Sequence, residues 1–309
     1  MPGHMRTHGV DVLVPATSAN LGPGFDCLGL AIGVHDRVTA MATEDPGVLV
    51  HIEGEGEEIL PRDDSHLVAR AMLAAWSAMG VPASGAVLTC VNAIPQGRGM
   101  GSSAAAIVAG LLLGRALVTD GEDRLSAGEV FDLATRMEGH PDNVAAALFG
   151  GFTTAWIETP GAEDVHARAV SHRVHPEVVP VVVVPPVSMP THEARRMLPD
   201  LVARDDAVFN VGRSALLVHA LTADPSLLMS ATEDRLHQDA RAAAYPRSHE
   251  LVAELRAQGI PAVISGAGPS VLALAATSTS ATALAAAPDG WEAVVVPVDT
   301  AGARVHIYG

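Results

Sequence analysis

Three observations predict an α+β protein of two domains. At 309 residues the chain is long enough for two ordinary hydrophobic cores. Helical and strand periodicities interleave, yet several strands follow one another with no helix between, which argues against a doubly wound sheet. A wholly apolar run, Val178 to Val184, opens a second buried layer after a stretch, residues 158 to 175, in which Pro, Gly, His and charge interrupt all periodicity. The domain change is set there, dividing the chain into residues 10–165 and 166–309.

The elements follow in order. Val10 to Pro15 and Val34 to Ala42 have the β-branched character of strands, and the Asn/Gly/Pro-rich segment Ala16 to Gly24 between them reads as a loop. His66 to Met79 is apolar at helical spacing, with Leu67, Ala71, Ala74, Ala75 and Ala78 as inward candidates, and Gly80-Val81-Pro82 stops it. Val87 to Ile94 alternates as a strand and leads through a glycine-rich segment into a helix from Ser102 to Val118. Ser126 to Glu138 is a further helix, ended by Gly139-His140-Pro141, and Phe149 to Ile157 is a strand. Beyond Val184, helices are expected at Ala203 to Leu221, Ser226 to Thr232 and Tyr245 to Gln258. Ala262 to Ala275 reads as strand, turn, strand. A helix near Thr279 to Ala287 and strands at Ala293 to Val298 and Ala303 to Tyr308 close the chain, with no repeat of 20 to 50 residues.

Composition narrows the chemistry. All 19 Lys+Arg residues are arginine, which excludes a Walker A loop, a protein-kinase strand lysine and any Schiff-base mechanism. A net charge of -16 repels nucleic acid and anionic membrane alike, so neither is an expected partner. Cys27 and Cys90 stand far apart with no redox or ligand spacing and read as reduced core thiols. Met1 to Gly9 lacks the apolar core of a signal peptide, and no run approaches the roughly 18 apolar residues of a membrane span. A soluble, cytoplasmic protein is expected.

The segment Pro95-Gln-Gly-Arg-Gly-Met-Gly-Ser-Ser-Ala-Ala-Ala106 carries the first functional signal. Its three alternate glycines permit φ > 0 and close backbone approach, and the helix that follows offers free N–H groups at the positive end of its dipole. Alone, such glycines fit a tight strand-to-helix junction as well as a ligand site. Ser102 and Ser103 add hydroxyls able to cap the helix, or to ligate a cation or a phosphate oxygen. On so acidic a chain a phosphate ligand is expected to arrive with a divalent cation, as a magnesium nucleotide does.

Pro95-x-x-x-Gly99-Met100-Gly101-Ser102-Ser103-Ala104-Ala105 resembles the nucleotide signature of the GHMP kinases. Two further motifs agree: Pro15 to Ala31 resembles the family's substrate-side motif, and Ile264-Ser-Gly-Ala-Gly-Pro-Ser270 its third, glycine-rich motif. The version of the first motif, and Glu138-Gly-His-Pro-Asp-Asn143, are similar to those of the homoserine kinase branch. The resemblance spans nearly the whole chain. It implies an N-terminal nucleotide-binding domain with βαβ units and a C-terminal ferredoxin-like α/β sandwich. It also implies ATP-dependent phosphorylation of the L-homoserine hydroxyl to O-phospho-L-homoserine in threonine biosynthesis, with ATP and Mg²⁺ as cofactors and a homodimer as the assembly. Another GHMP small-molecule kinase, or a non-catalytic nucleotide or amino-acid sensor on the same fold, are the alternatives.

The residue roles come from the same resemblance. Pro95, Gly97, Arg98, Gly99, Met100, Gly101, Ser102, Ser103, Ala104 and Ala105 are expected to hold the nucleotide. Ser103 and Glu138 are expected to hold the metal, with Asp132 as an alternative to Glu138. Asn20, Asp26, His140, Thr191, Arg195, Arg241 and Gly266 are implied for the substrate site, with Asp26 facing the ammonium and the arginines and Thr191 the carboxylate. Asn143, with Asp142 and Arg195, forms the implied catalytic set, Asn143 orienting the reacting hydroxyl and His140 and Asp142 shaping the site around it. Where the family usually has Asn before Leu/Ile-Val, this chain has His66, which would meet the adenine. The remaining histidines lack metal-ligand spacing, and no zinc site is expected.

Overall fold

The computed structural model describes residues 4–159 and 165–309. The first sheet begins with β1 (Val10–Asn20) and β2 (Gly24–Thr43), which pair antiparallel along nearly their whole lengths. It continues through β3 (Val48–Gly54), β4 (Gly85–Asn92), β5 (Phe152–Ile157) and β6 (Ala167–His172). The second sheet holds β7 (Val178–Val184), β8 (Ala262–Ile264), β9 (Val271–Ala276) and β10 (Glu292–Val295). The last strand, β11 (Arg304–Ile307), returns to pair with β1. The orders are β11-β1-β2-β4-β3, with β5 on β2 and β6 on β5, and β10-β7-β9-β8.

Helices α1 (Leu67–Ala78), α2 (Ser102–Leu117), α3 (Gly121–Arg124), α4 (Ala127–Glu138) and α5 (Asp142–Phe149) belong with the first sheet. Later come α6 (Thr191–Arg196), α7 (Arg204–Thr222), α8 (Leu228–Ala231), α9 (Gln238–Arg241), α10 (Pro246–Ala257) and α11 (Ser280–Ala285). Ser126 starts α4 through a full capping box with Glu129. Among the described residues no helix is long and apolar enough to cross a membrane.

The apolar run at β7 is explained by burial on both faces. Val182 and Val184 join the large core together with Leu272 and Leu274 of β9 and Leu217 and Leu221 of α7. Val181 and Val183 face the other way, onto Leu251 and Leu255 of α10. Taken in sequence, β7-α10-β8-β9-α11-β10 gives the spatial order fourth, first, third, second, the split βαβ arrangement expected for a ferredoxin-like sandwich.

Several sequence expectations change. Ala16 to Gly24 is not a loop: β1 runs to Asn20, and only 21–23 turn. Small and polar residues of low strand propensity are held there by the ladder, Thr17 against Ala31 and Ser18 against Leu30, after a register shift at Pro15/Ala16. The inward face of α1 is Val68, Ala71, Met72, Ala75 and Trp76, and Ala78 is exposed, because α1 packs along α2 with Trp76 Nε1 donating to Gly114 O at 3.0 Å. Phe149 closes α5 and does not start a strand; β3 and β6 escaped detection. The expected break at 158–175 includes residues 160–164, which lie outside the described residues. The first sheet takes β6 and β11 from beyond residue 165, because a hairpin partner for β5 and an edge partner for β1 cover otherwise open ladders.

Candidate active site

The three glycine-containing segments, distant in sequence, meet at one pocket between the sheets. Thr17 N donates to Met100 O at 3.0 Å, Met189 N to Gly97 O at 2.6 Å, and Ser265 Oγ to Gly99 O at 2.6 Å. Gly99 and Gly101 have φ of 73° and 69°, in the left-handed region. A Cβ on Gly99 would overlap Ser265 O and one on Gly101 would overlap Thr17 Oγ1, so close approach and backbone angle both demand glycine. The loop therefore presents its backbone, and the first-turn N–H groups of the 16-residue α2, to the pocket.

Facing that helix end, Ser103 Oγ donates to Glu138 Oε1 at 2.6 Å, where α4 ends. Burial raises the pKa of Glu138, as does the charge of Asp142, against the lowering effects of Ser103 and His140. His140 Nδ1 lies 2.7 Å from Asp142 Oδ1. Burial disfavours the charged ring, but the Asp142 hydrogen bond and charge, with Glu138, outweigh it and hold His140 above its ordinary pKa. Asp142 Oδ1 also accepts Asn143 N at 2.8 Å, and Thr17 Oγ1 donates to Asn143 Oδ1 at 2.8 Å. Both ends of the Asn143 residue are thus fixed where it lines the pocket.

Across the pocket, Arg195 of α6 pairs with Asp26 at the start of β2, through contacts of 2.6 and 3.2 Å. Asn20 uses its amide to join the motifs: Oδ1 accepts Asp26 N at 3.0 Å and Nδ2 donates to Gly266 O at 2.9 Å. Asn20 and Asp26 both have positive φ, 66° and 56°. Arg241, on α9, is only 1% exposed, and no carboxylate among the described residues lies within ion-pair distance of it. Its Nε donates to Ala194 O at 3.0 Å, and Nη1 lies 3.2 Å from His237 Nδ1. His237 Nε2 sits 2.8 Å from Gly22 O, which can only accept, so Nε2 carries the proton and Nδ1 accepts from Arg241. Burial keeps that imidazole neutral, its pKa below the ordinary value. Both guanidinium groups stand over the Phe25 ring, at 5.8 and 5.7 Å.

His66 caps α1: its Nδ1 accepts Val68 N at 3.3 Å, and burial lowers its pKa. The proton left on the neutral ring is therefore on Nε2, a donor available where His66 lines the pocket.

The structure brings nearly all the sequence-predicted residues to this pocket, with exceptions. Ala104 is packed into the core and leaves only its backbone N–H for a ligand. Arg98 does not line the pocket; its Nη2 reaches Pro186 O at 3.3 Å. Asp132 accepts Ala167 N at 2.7 Å, away from Ser103, leaving Glu138 as the carboxylate beside that hydroxyl. Ligand atoms of Asp26, His140 and Asp142 also converge within 4.8 Å, but Arg195 holds both Asp26 oxygens and His140 and Asp142 hold each other. Sequence reasoning missed Thr17, Phe25, Asp36 and His237. Thr17 and Phe25 lay inside a quoted motif; Asp36 looked like any strand residue, and the environment of His237 appears only on folding.

The model described as "GHMP kinases N terminal domain" matches residues 66–151, and that described as "GHMP kinases C terminal" matches residues 217–289. The chain is 51% identical over 300 residues to a homoserine kinase of Streptomyces coelicolor, covering 97% of this chain and 95% of that one. It is equally similar, 51% over 300 residues, to a homoserine kinase of Streptomyces avermitilis, covering 97% and 96%. The crystal structure of homoserine kinase from Cytophaga hutchinsonii superposes with a TM-score of 0.85 at 26% identity, covering 99% of this chain and 100% of that one.

Proposed function

The chain belongs to the homoserine kinases of the GHMP kinase superfamily, and from that premise we propose how its own residues carry out the transfer of phosphate from ATP to the homoserine hydroxyl. The carrying observation is charge arrangement. A half-buried Asp26–Arg195 pair and a buried Arg241 with no carboxylate partner among the described residues line the same pocket as the glycine loop. Homoserine brings one ammonium and one carboxylate. Asp26 would take the ammonium, Arg195 and Arg241 the carboxylate with the Thr191 hydroxyl beside it, and an arginine fork suits a planar carboxylate. The side-chain hydroxyl then points toward Asn143 and the glycine loop.

The backbone of Gly97 to Ser103 and the first turn of α2 would hold the triphosphate. Asn143, locked by Thr17 and Asp142, would orient the attacking hydroxyl in line with the γ-phosphate. His140 would keep the Asp142 carboxylate in place. Phosphoryl transfer through a loose transition state depends on alignment and charge stabilisation more than on prior deprotonation, so the lack of a lysine and of a dedicated general base is no obstacle.

Mg²⁺ is proposed on the chemistry of the donors: the Glu138 carboxylate and Ser103 hydroxyl are hard oxygen ligands 2.6 Å apart beside the helix terminus. When bound, the ion offsets the charge of the β- and γ-phosphates. Cytoplasmic location is likewise a proposal, supported by the need for ATP and by two free cysteines, Cys27 and Cys90. A homodimer is the proposed assembly; sedimentation at the 31.8 kDa of one chain would rule it out.

The test is direct. Purified protein with ATP, Mg²⁺ and L-homoserine should yield equal ADP and O-phosphohomoserine, with mevalonate, galactose and blank near background. Binding of both ligands without product would favour the sensor reading.

A further inference from the structure

Asp36 is a charged residue of the pocket wall that this reading leaves unused. It lies on β2, 6% exposed, and its Oδ1 accepts both Ala93 N at 2.7 Å and Ile94 N at 2.9 Å, just before the glycine loop begins. Oδ2 accepts no hydrogen bond within the described protein, yet it is not sealed off, and Asp36 lines the pocket. Its near neighbours include an apolar set, Val14 across the strand pair, Val38 on the same face of β2, and Leu60, Leu67 and Val68 in the pocket wall, while Asn92 and Gln96 also line the pocket and the charges of Glu55 and His35 reach it. Burial pushes the carboxyl up to about 6, and in its ionised form both oxygens can only accept.

A ligand meeting Oδ2 must bring a donor, since a buried acceptor left unpaired is costly. Triphosphate oxygens would be repelled, which assigns them to the glycine loop and leaves the base for the apolar end. We propose that Asp36 is a base-specificity residue whose Oδ2 accepts a hydrogen bond from the 6-amino group of adenine, selecting 6-aminopurine over 6-oxopurine nucleotides. The inference rests on ATP occupying this pocket. Adenine offers a ring-nitrogen acceptor next to its amino donor, matched by the His66 Nε2–H. A 6-oxopurine would set its carbonyl oxygen against the carboxylate.

Asp36→Asn preserves Oδ1 for Ala93 and Ile94 and turns the other arm into a donor. Steady-state kinetics of wild type and Asp36→Asn should be compared with ATP, ITP, 2′-deoxy-ATP and purine riboside triphosphate, which lacks the amino group. The variant should raise KM for ATP and lower it for ITP, shifting the kcat/KM ratio roughly 10- to 100-fold toward ITP, with KM for homoserine unmoved. Wild type should use purine riboside triphosphate at least roughly tenfold less well than ATP, a comparison that needs no variant to fold. Parallel losses with ATP and ITP, a change confined to 2′-deoxy-ATP, or equal wild-type use of ATP and purine riboside triphosphate would each overturn the proposal alone. No phosphohomoserine from wild type with any nucleotide would overturn the kinase reading and this proposal with it.

Discussion

Arg195 grips Asp26 through two hydrogen bonds, Nη2 to Oδ1 at 2.6 Å and Nη1 to Oδ2 at 3.2 Å, joining α6 to the first residues of β2. The pair is about one-third exposed on each side, so its intrinsic worth to stability is small. In the proposed reading its significance is chemical: each partner would exchange the other for one end of the zwitterionic substrate.

The two arginines should therefore respond differently to removal. Arg241 is buried, and Arg241→Ala should raise KM for homoserine by the equivalent of roughly 2 to 5 kcal/mol. Arg195, screened by solvent, should cost about 1 to 2 kcal/mol on replacement by alanine. KM for ATP should move little in both variants; an equal rise for ATP would remove the carboxylate assignment.

Asn143→Ala should act on turnover. Thr17 and Asp142 hold this residue in one orientation, and losing alignment of the reacting hydroxyl should lower kcat by about 10²-fold. KM for both substrates should stay within a few-fold, as steady-state kinetics will show. An unchanged kcat would take Asn143 out of the reacting centre.

Glu138→Gln keeps the hydrogen bond from Ser103 but removes the negative charge. The Mg²⁺ concentration giving half-maximal activity should rise at least roughly tenfold. A titration of ADP release against Mg²⁺ checks this; an unmoved midpoint would assign the cation elsewhere.

Asp36 predicts a pH dependence of stability. Its carboxyl is raised by burial from 3.8 to about 6, so between those values the folded state binds the proton that the unfolded state has released. Stability contributed by this group therefore falls as pH rises through that window and stays low above it. Asp36→Asn, which cannot ionise, should gain on wild type across the same window by on the order of 2 kcal/mol. Thermal denaturation at pH 4.5 and pH 7.5 reads the difference in Tm; a variant equally displaced at both would show that ionisation is not the cause.

Much of this was legible in the sequence. The apolar run at β7, the strand–loop–helix around the glycines and the helix ending before Gly139-His140-Pro141 are local signals, because periodicity and turn chemistry act over a few neighbouring residues. The error at Ala16 to Gly24 has the converse origin. Those residues favour turns by themselves and become strand because β2 supplies a continuous ladder from the other side. β6, which its short sequence does not announce, and β11, which lies in the second half of the chain, both join the first sheet because their partners β5 and β1 are supplied across a stretch without periodicity or from far away in sequence.

By itself the sequence determined the fold class, the strand–glycine loop–helix segment and the absence of lysine chemistry, all of which depend on residue type and short spacing. Tertiary structure alone decided that Glu138 and not Asp132 stands by Ser103, that Asn20 spends its amide on Asp26 and Gly266, and that Asp36 lines the pocket with only Oδ1 hydrogen-bonded among the described residues. Apart from the Asn20–Asp26 contact, these depend on hydrogen-bond partners tens to hundreds of residues away. A side chain's chemistry is written in its type, but its free valence is known only once folding has used up the rest.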